Sequence, residues 1–270
     1  MRDFTLNTYK SLLTSFIEAG YRIIPFGQYM SGSKEGKTLI LRHDVDMRPG
    51  NSVITAETEH SLGISASYYF RVVKESNDPE AIRRIASLGH EIGYHYEDMA
   101  ICSGDKEQAI KHFEEQLRYF RTFYPVSTVC MHGAPANRFD GCDLWRDGNG
   151  QRNNGGKYDY RTYGITGEPY FDIDFTRVFY LTDTGCRWDG FNVSVRDKVS
   201  EQDRWTRLGW VYHSSEDIIN AVRRGEAPFA EGSTVMMTTH PQRWTDSRLL
   251  WLREQTMQRI KNVIKKALYV

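Results

Sequence analysis

A hydrophobic run ends in two carboxylates in Leu39-Ile-Leu-Arg-His-Asp-Val-Asp46. In an extended strand, residues at i and i+2 point to one face, so Asp44 and Asp46 stand close enough for one to ligate a metal while the other acts as a base. A second cluster lies in Gly89-His-Glu-Ile-Gly-Tyr-His-Tyr-Glu-Asp98, where a short run delivers His95 and then carboxylates at +2 and +3. Imidazole and carboxylate groups serve a divalent cation well, which makes His95, Glu97 and Asp98 candidate ligands. Three more apolar runs end alike, delivering His132, then Asp183 followed by Arg187 and Trp188, and finally His240. Asp183 can orient a base or an acid, Arg187 can hold a substrate carboxylate or phosphate, and Trp188 can stack on a sugar ring. Tyr94 and His132 join Arg187 and Trp188 as the expected substrate-contacting set.

The elements that must position these side chains read as alternating strands and helices. Seven β-rich runs fall at 38–42, 67–72, 91–95, 127–131, 170–173, 178–182 and 233–239. Between them, 52–62, 78–88, 106–123 and 216–224 carry apolar residues at helical spacing. Asn51, Asp78 and Ser215 are candidate N-caps, and Gly63, Gly89 and Gly225 candidate stops. This alternation predicts an α/β chain with a mostly parallel sheet or barrel, whose chemistry sits at the carboxyl ends of the strands. Residues 11–24 read as an amphipathic surface helix, 147–167 as a surface insertion, and 247–268 as a terminal amphipathic helix with basic residues near its end. The whole of 1–270 reads as one domain.

The chain of 270 residues is 40% hydrophobic with a mean hydropathy of −0.58, ample for a core and too polar for a membrane protein. Thirty-five basic residues match thirty-five acidic ones, which argues against a nucleic-acid binder relying on a global basic field. No stretch approaches the roughly 18 apolar residues of a spanning helix, and no leader pattern is read near the start, so a cytoplasmic protein without a membrane span is expected. Cys102, Cys130, Cys142 and Cys186 show no CxxC spacing and read as ordinary thiols, with Cys130 in an apolar run.

The order of these motifs resembles the polysaccharide deacetylase superfamily, the NodB homology domain of carbohydrate esterase family four. The likeness runs from about residue 39 to 240, and its most specific piece is Gly89-His-Glu-Ile-Gly-Tyr-His95. It implies a distorted (β/α)7 barrel in which Asp44 is the catalytic base, Asp46 and His95 bind one divalent ion, expected to be zinc, and His240 is the general acid. It further implies hydrolysis of an N-acyl group, formyl or acetyl, from an amino sugar.

Two departures stand out. Met99 occupies the position of the family's second metal histidine, and His132 that of a third-motif arginine. The third ligand is therefore open among Glu97, Asp98 and His132. The adjacent carboxylates are favoured, because a helical turn would put His95 and its +3 neighbour on one face. The expected function is removal of formyl or acetyl from an amino sugar or sugar nucleotide in surface-polysaccharide synthesis of the O-antigen type. The alternatives are an amidohydrolase on a non-sugar amide and a glycan-binding barrel without activity. Arg187, Trp188 and the insertion's Arg152, Lys157 and Arg161 point to a small anionic substrate.

Overall fold

The computed structural model describes residues 2–32, 36–133, 138–192 and 199–269. Its first strand, β1 (Arg22–Ile24), is short, and its second, β2 (Thr38–Val45), is central, with every residue buried. A run as apolar as Leu39-Ile40-Leu41 suits a strand covered on both faces, as in all-parallel sheets. The other strands are β3 (Ser67–Phe70), β4 (Glu91–Tyr96), β5 (Val129–Met131), β6 (Val178–Thr182) and β7 (Thr234–Thr239). All pairings are parallel, in the order β5-β4-β3-β2-β7-β6, with β1 beside the first half of β2 and β3 beside its second half. This is the order of a barrel that stays open between β5 and β6, a distorted (β/α)7 barrel.

Ten α-helices occur among the described residues. They are α1 (Leu6–Glu18), α2 (Phe26–Ser31), α3 (Pro49–Ser61), α4 (Pro79–Ser87), α5 (Asp98–Ile101), α6 (Lys106–Phe120), α7 (Pro169–Asp172), α8 (Gln202–Arg207), α9 (Ser215–Arg224) and α10 (Arg248–Tyr269). One continuous apolar core runs from Phe4 to Trp244.

Seven strands were expected and seven are present, but the two sets differ by one member. Residues 170–173 form the helical turn α7 and the following residue, not a strand. Pro169 opens that turn, and the Glu168 carboxylate accepts hydrogen bonds from the Tyr170 and Phe171 amides, so local capping overrides the β-prone composition. The seventh strand is β1, within the segment read as helix 11–24; the helix there is α1, which ends before Gly20 (φ +83). Asp78 caps α4 as expected, whereas Ser214 rather than Ser215 caps α9 through a capping box with Asp217. Asn51 lies inside α3, which begins after Arg48 in a left-handed conformation.

The glycines of the Gly-His-Glu-Ile-Gly-Tyr-His segment serve the scaffold. Gly89, at φ +88, turns the chain from α4 into β4. A Cβ on Gly93 would lie 2.3 Å from the Tyr69 ring and 3.1 Å from the Thr128 carbonyl oxygen. Tyr69 cannot swing aside freely, because its hydroxyl is hydrogen-bonded to Thr128 at 2.9 Å. Gly93→Ala should therefore cost about 1–3 kcal/mol, read as a lower denaturant midpoint at unchanged slope.

Candidate active site

Five strands aim their carboxyl ends at one cavity of about 590 Å³. Strand β2 brings Asp44 and, just beyond it, Asp46; β4 brings His95, β5 His132, and β7 His240. Asp183, just past β6, stands behind His240. The wall opposite the strands is α10, through Arg253, Glu254, Met257, Gln258, Lys261 and Lys265.

Asp46, His95 and His132 each offer a ligand atom within 4.8 Å of the others. His95 Nε2 lies 3.7 Å and His132 Nε2 3.4 Å from Asp46 Oδ1. His95 Nδ1 is 2.9 Å from the Cys130 carbonyl oxygen, and His132 Nδ1 is 2.8 Å from Glu97 Oε2. An acceptor at Nδ1 fixes the proton there, so in the neutral ring Nε2 presents a lone pair. Burial pushes the His95 pKa down to about 4, with Asp44 opposing only in part, so its ring is neutral at physiological pH. Asp46 Oδ1 is buried and has no hydrogen-bond partner, while Oδ2 accepts from Gln242 at 3.3 Å. Three ligand atoms thus converge around an unpartnered carboxylate oxygen, an arrangement that a divalent cation satisfies.

A second combination, Asp44 with His95 and Cys130, is also compact. Two of its members are less suited to a cation. Arg42 grips Asp44 with both ends of its guanidinium, Nε to Oδ1 at 3.0 Å and Nη2 to Oδ2 at 2.9 Å. Burial raises the Cys130 pKa well above its usual value, which keeps the thiol protonated.

Burial would raise the Asp44 pKa, but the charge and hydrogen bonds of Arg42, aided by His240, outweigh it and hold the carboxyl well below the usual range. Asp44 is therefore an ionised carboxylate at the cavity floor, 3.8 Å from His95 Nε2. Arg42 is fully buried two residues earlier on the same strand, and the i, i+2 alternation turns both side chains to one face.

Across the cavity, Asp183 is buried and organises its neighbours. Its Oδ1 accepts from His240 Nδ1 at 2.6 Å and from Arg243 at 2.8 Å, and its Oδ2 from the His240 amide at 3.0 Å and Trp244 Nε1 at 2.7 Å. Burial and Arg243 push the His240 pKa down, but Asp183 and Asp46 outweigh them and the net shift is upward. His240 Nε2 stands 3.8 Å from Asp46 Oδ2.

The remaining residues singled out in the sequence lie elsewhere. His95 is on a strand, so the helical-turn argument for its +3 neighbour does not apply. Asp98 accepts from Tyr94 and His112. Glu97 pairs with Arg71 and His132; burial raises its pKa, but these two partners bring it down to about 2. The carboxylates expected as ligands instead hold neighbours, Glu97 orienting His132. Tyr94 is buried against Phe113 and Phe120 rather than lining the cavity. Trp188 is 4% exposed, its indole donating to Ser215 Oγ, and Arg187 pairs with Asp189. Neither lines the cavity.

The insertion's cations are likewise occupied, Arg152 and Arg161 by Asp172 and Lys157 by Glu107, and none reaches the cavity. Ala134 and Pro135, which follow His132 in its motif, lie outside the described residues. Arg42, whose i, i+2 relation to Asp44 is a legible signal, was not singled out from the sequence, nor were Gln242 and Arg243; α10 was legible as a helix but not as a wall of the cavity.

No family model matches the chain, and no curated protein matches it. Among solved structures it is similar to PdaA of Bacillus subtilis, a family 4 carbohydrate esterase. That likeness has 11% identity and a TM-score of 0.39 over 93% of this chain and 83% of that one. It is also similar to the peptidoglycan deacetylase PdaC of Bacillus subtilis, with 11% identity and a TM-score of 0.38 over 87% of this chain and 99% of that one.

Proposed function

We propose that the chain is a metal-dependent N-deacylase that removes a formyl or acetyl group from an amino sugar or sugar nucleotide, acting in the cytoplasm in surface-polysaccharide synthesis of the O-antigen type. The observation that carries this reading is the convergence of three ligand atoms on Asp46, His95 and His132 within 4.8 Å of one another, flanked by an ionised carboxylate and a carboxylate-backed imidazole. Two imidazoles and one carboxylate suit zinc and leave positions open for water and substrate. A divalent ion held there supplies Lewis-acid polarisation of an amide carbonyl and lowers the pKa of water.

The chain's own groups divide the proton transfers. Asp44 accepts the proton of the attacking water, and Arg42 keeps that carboxylate ionised and turned into the cavity. His240 is the proton donor to the departing amine nitrogen as the C–N bond breaks. Asp183 fixes its Nδ1–H tautomer and supports the imidazolium, as the buried carboxylate does in other acid–base pairs. The products are the free amine and formate or acetate.

The cavity also favours an anionic substrate, through residues other than those first expected. Arg253 and Lys261 line it from α10, and among the described residues neither has an ion-pair partner. Both can receive a phosphate or carboxylate while the acyl amide lies over the strand ends. Arg253→Ala and Lys261→Ala should each raise KM for an N-acyl sugar nucleotide about fivefold to tenfold with kcat nearly unchanged, the mark of lost uniform binding. Assays of released formate and acetate on N-acyl sugar nucleotides and on neutral chito-oligosaccharides test both levels. Equal or better turnover of the neutral oligomers would remove the anionic substrate and keep the hydrolase; no release from either set would remove the hydrolase.

A further inference from the structure

Helix α10 lies on the barrel the wrong way round for a surface helix. Its buried residues are polar, Glu254, Gln258 and Asn262 at i, i+4 and i+8, and a row of its large apolar residues points outward. Leu249 is 81% exposed, Val263 70%, Leu252 58% and Ile260 52%. At 3.6 residues per turn these four fall within an arc of about 80°, opposite the buried row. An ordinary amphipathic helix buries that arc against the core. Here the attachments to the barrel are polar: Arg48 to Glu254 at 3.1 Å, Asn262 Nδ2 to the Gly185 carbonyl oxygen at 2.9 Å, and Trp251 Nε1 to the Asp3 carbonyl oxygen at 2.7 Å.

The charges on α10 identify what covers the arc. The helix carries six basic residues and one acidic residue, and the acidic one, Glu254, is turned inward to Arg48. Arg248, Arg259 and Lys266 run along one margin of the apolar arc, while Lys261 and Lys265 turn toward the cavity. A second copy packed against this face would offer Arg248, Arg259 and Lys266 no carboxylate, since the one acid of the helix is turned inward. An anionic surface complements the Arg248, Arg259 and Lys266 margin while its apolar interior takes the leucines, isoleucine and valine. We propose that α10 is an interfacial helix that docks the protein on an anionic phospholipid bilayer. The helix lies on the bilayer rather than across it, since among the described residues no helix is long and apolar enough to span one. This inference stands independently of the reaction assigned to the cavity.

The full chain would be sedimented with vesicles of phosphatidylcholine alone and with vesicles holding about 30% phosphatidylglycerol, at low and high salt. The expected result is at least about tenfold stronger binding to the anionic vesicles, weakening as salt rises. The double variant Ile260→Asp/Val263→Asp should reduce that binding about tenfold or more without moving the thermal midpoint, because both side chains are already outside the core. The charge variant Arg259→Gln/Lys266→Gln should weaken binding to anionic vesicles while leaving any binding to neutral ones unchanged. Equal or absent binding to the two vesicle types by the unaltered chain would overturn the proposal. A dimer that the double variant dissociates, without vesicle binding, would assign the same face to self-association.

Discussion

Alanine in place of His132 is expected to lower affinity for a divalent ion by more than about 100-fold and to abolish turnover while the fold stays intact. Groups that merely orient a ligand are worth about 10–100-fold in metal affinity, so loss of a ligand should exceed that range. His132 lies past the end of β5, half-buried at the cavity edge, and its removal leaves the core packing alone. Glu97→Gln should fall inside the orienting range, because it weakens the acceptor that holds the His132 Nδ1 proton. Asp98→Asn should leave affinity nearly unchanged, since that carboxylate serves Tyr94 and His112. Calorimetric titration of the three variants checks this ranking, and an order in which Asp98 dominates would return the third ligand to the carboxylates.

Asp44→Asn should retain the ion and lose turnover by roughly 10² or more, the scale of a missing general base. The partner variant, Arg42→Leu, has a different signature. It strands the Asp44 carboxylate in a buried site, and breaking a buried pair in this way costs about 3–5 kcal/mol. The double variant Arg42→Leu/Asp44→Asn removes both charges and should recover much of that stability while remaining inactive. Urea denaturation of the three proteins, alongside turnover, separates the roles. An Arg42→Leu protein as stable as the parent would mean that Asp44 is held by something other than Arg42, and near-normal turnover in Asp44→Asn would move the base elsewhere.

What could be read from the sequence followed from periodicity, and what could not followed from packing across long separations. The runs ending in Asp44, Asp46, His95, His132 and His240 were visible because an apolar strand closed by a polar residue is a local pattern. In a parallel barrel all such ends meet at one face. The strand at 170–173 was misread because a capping glutamate and a proline outweigh β propensity over so short a stretch. Arg187, Trp188 and Tyr94 have the chemistry of substrate contacts but are spent on Asp189, Ser215 and Asp98, choices fixed by tertiary neighbours. The α10 pattern was legible as amphipathic, yet nothing in its sequence says that the polar face is the one turned to the barrel.

The most direct test of the metal centre is a titration of the metal-stripped, full-length protein with zinc, followed by metal analysis after dialysis. One saturable site per chain is expected, lost together in Asp46→Ala, His95→Ala and His132→Ala and kept in Asp44→Asn. A chain that binds no zinc stoichiometrically, or one whose site survives all three ligand substitutions, would contradict the assignment of Asp46, His95 and His132 as a metal centre.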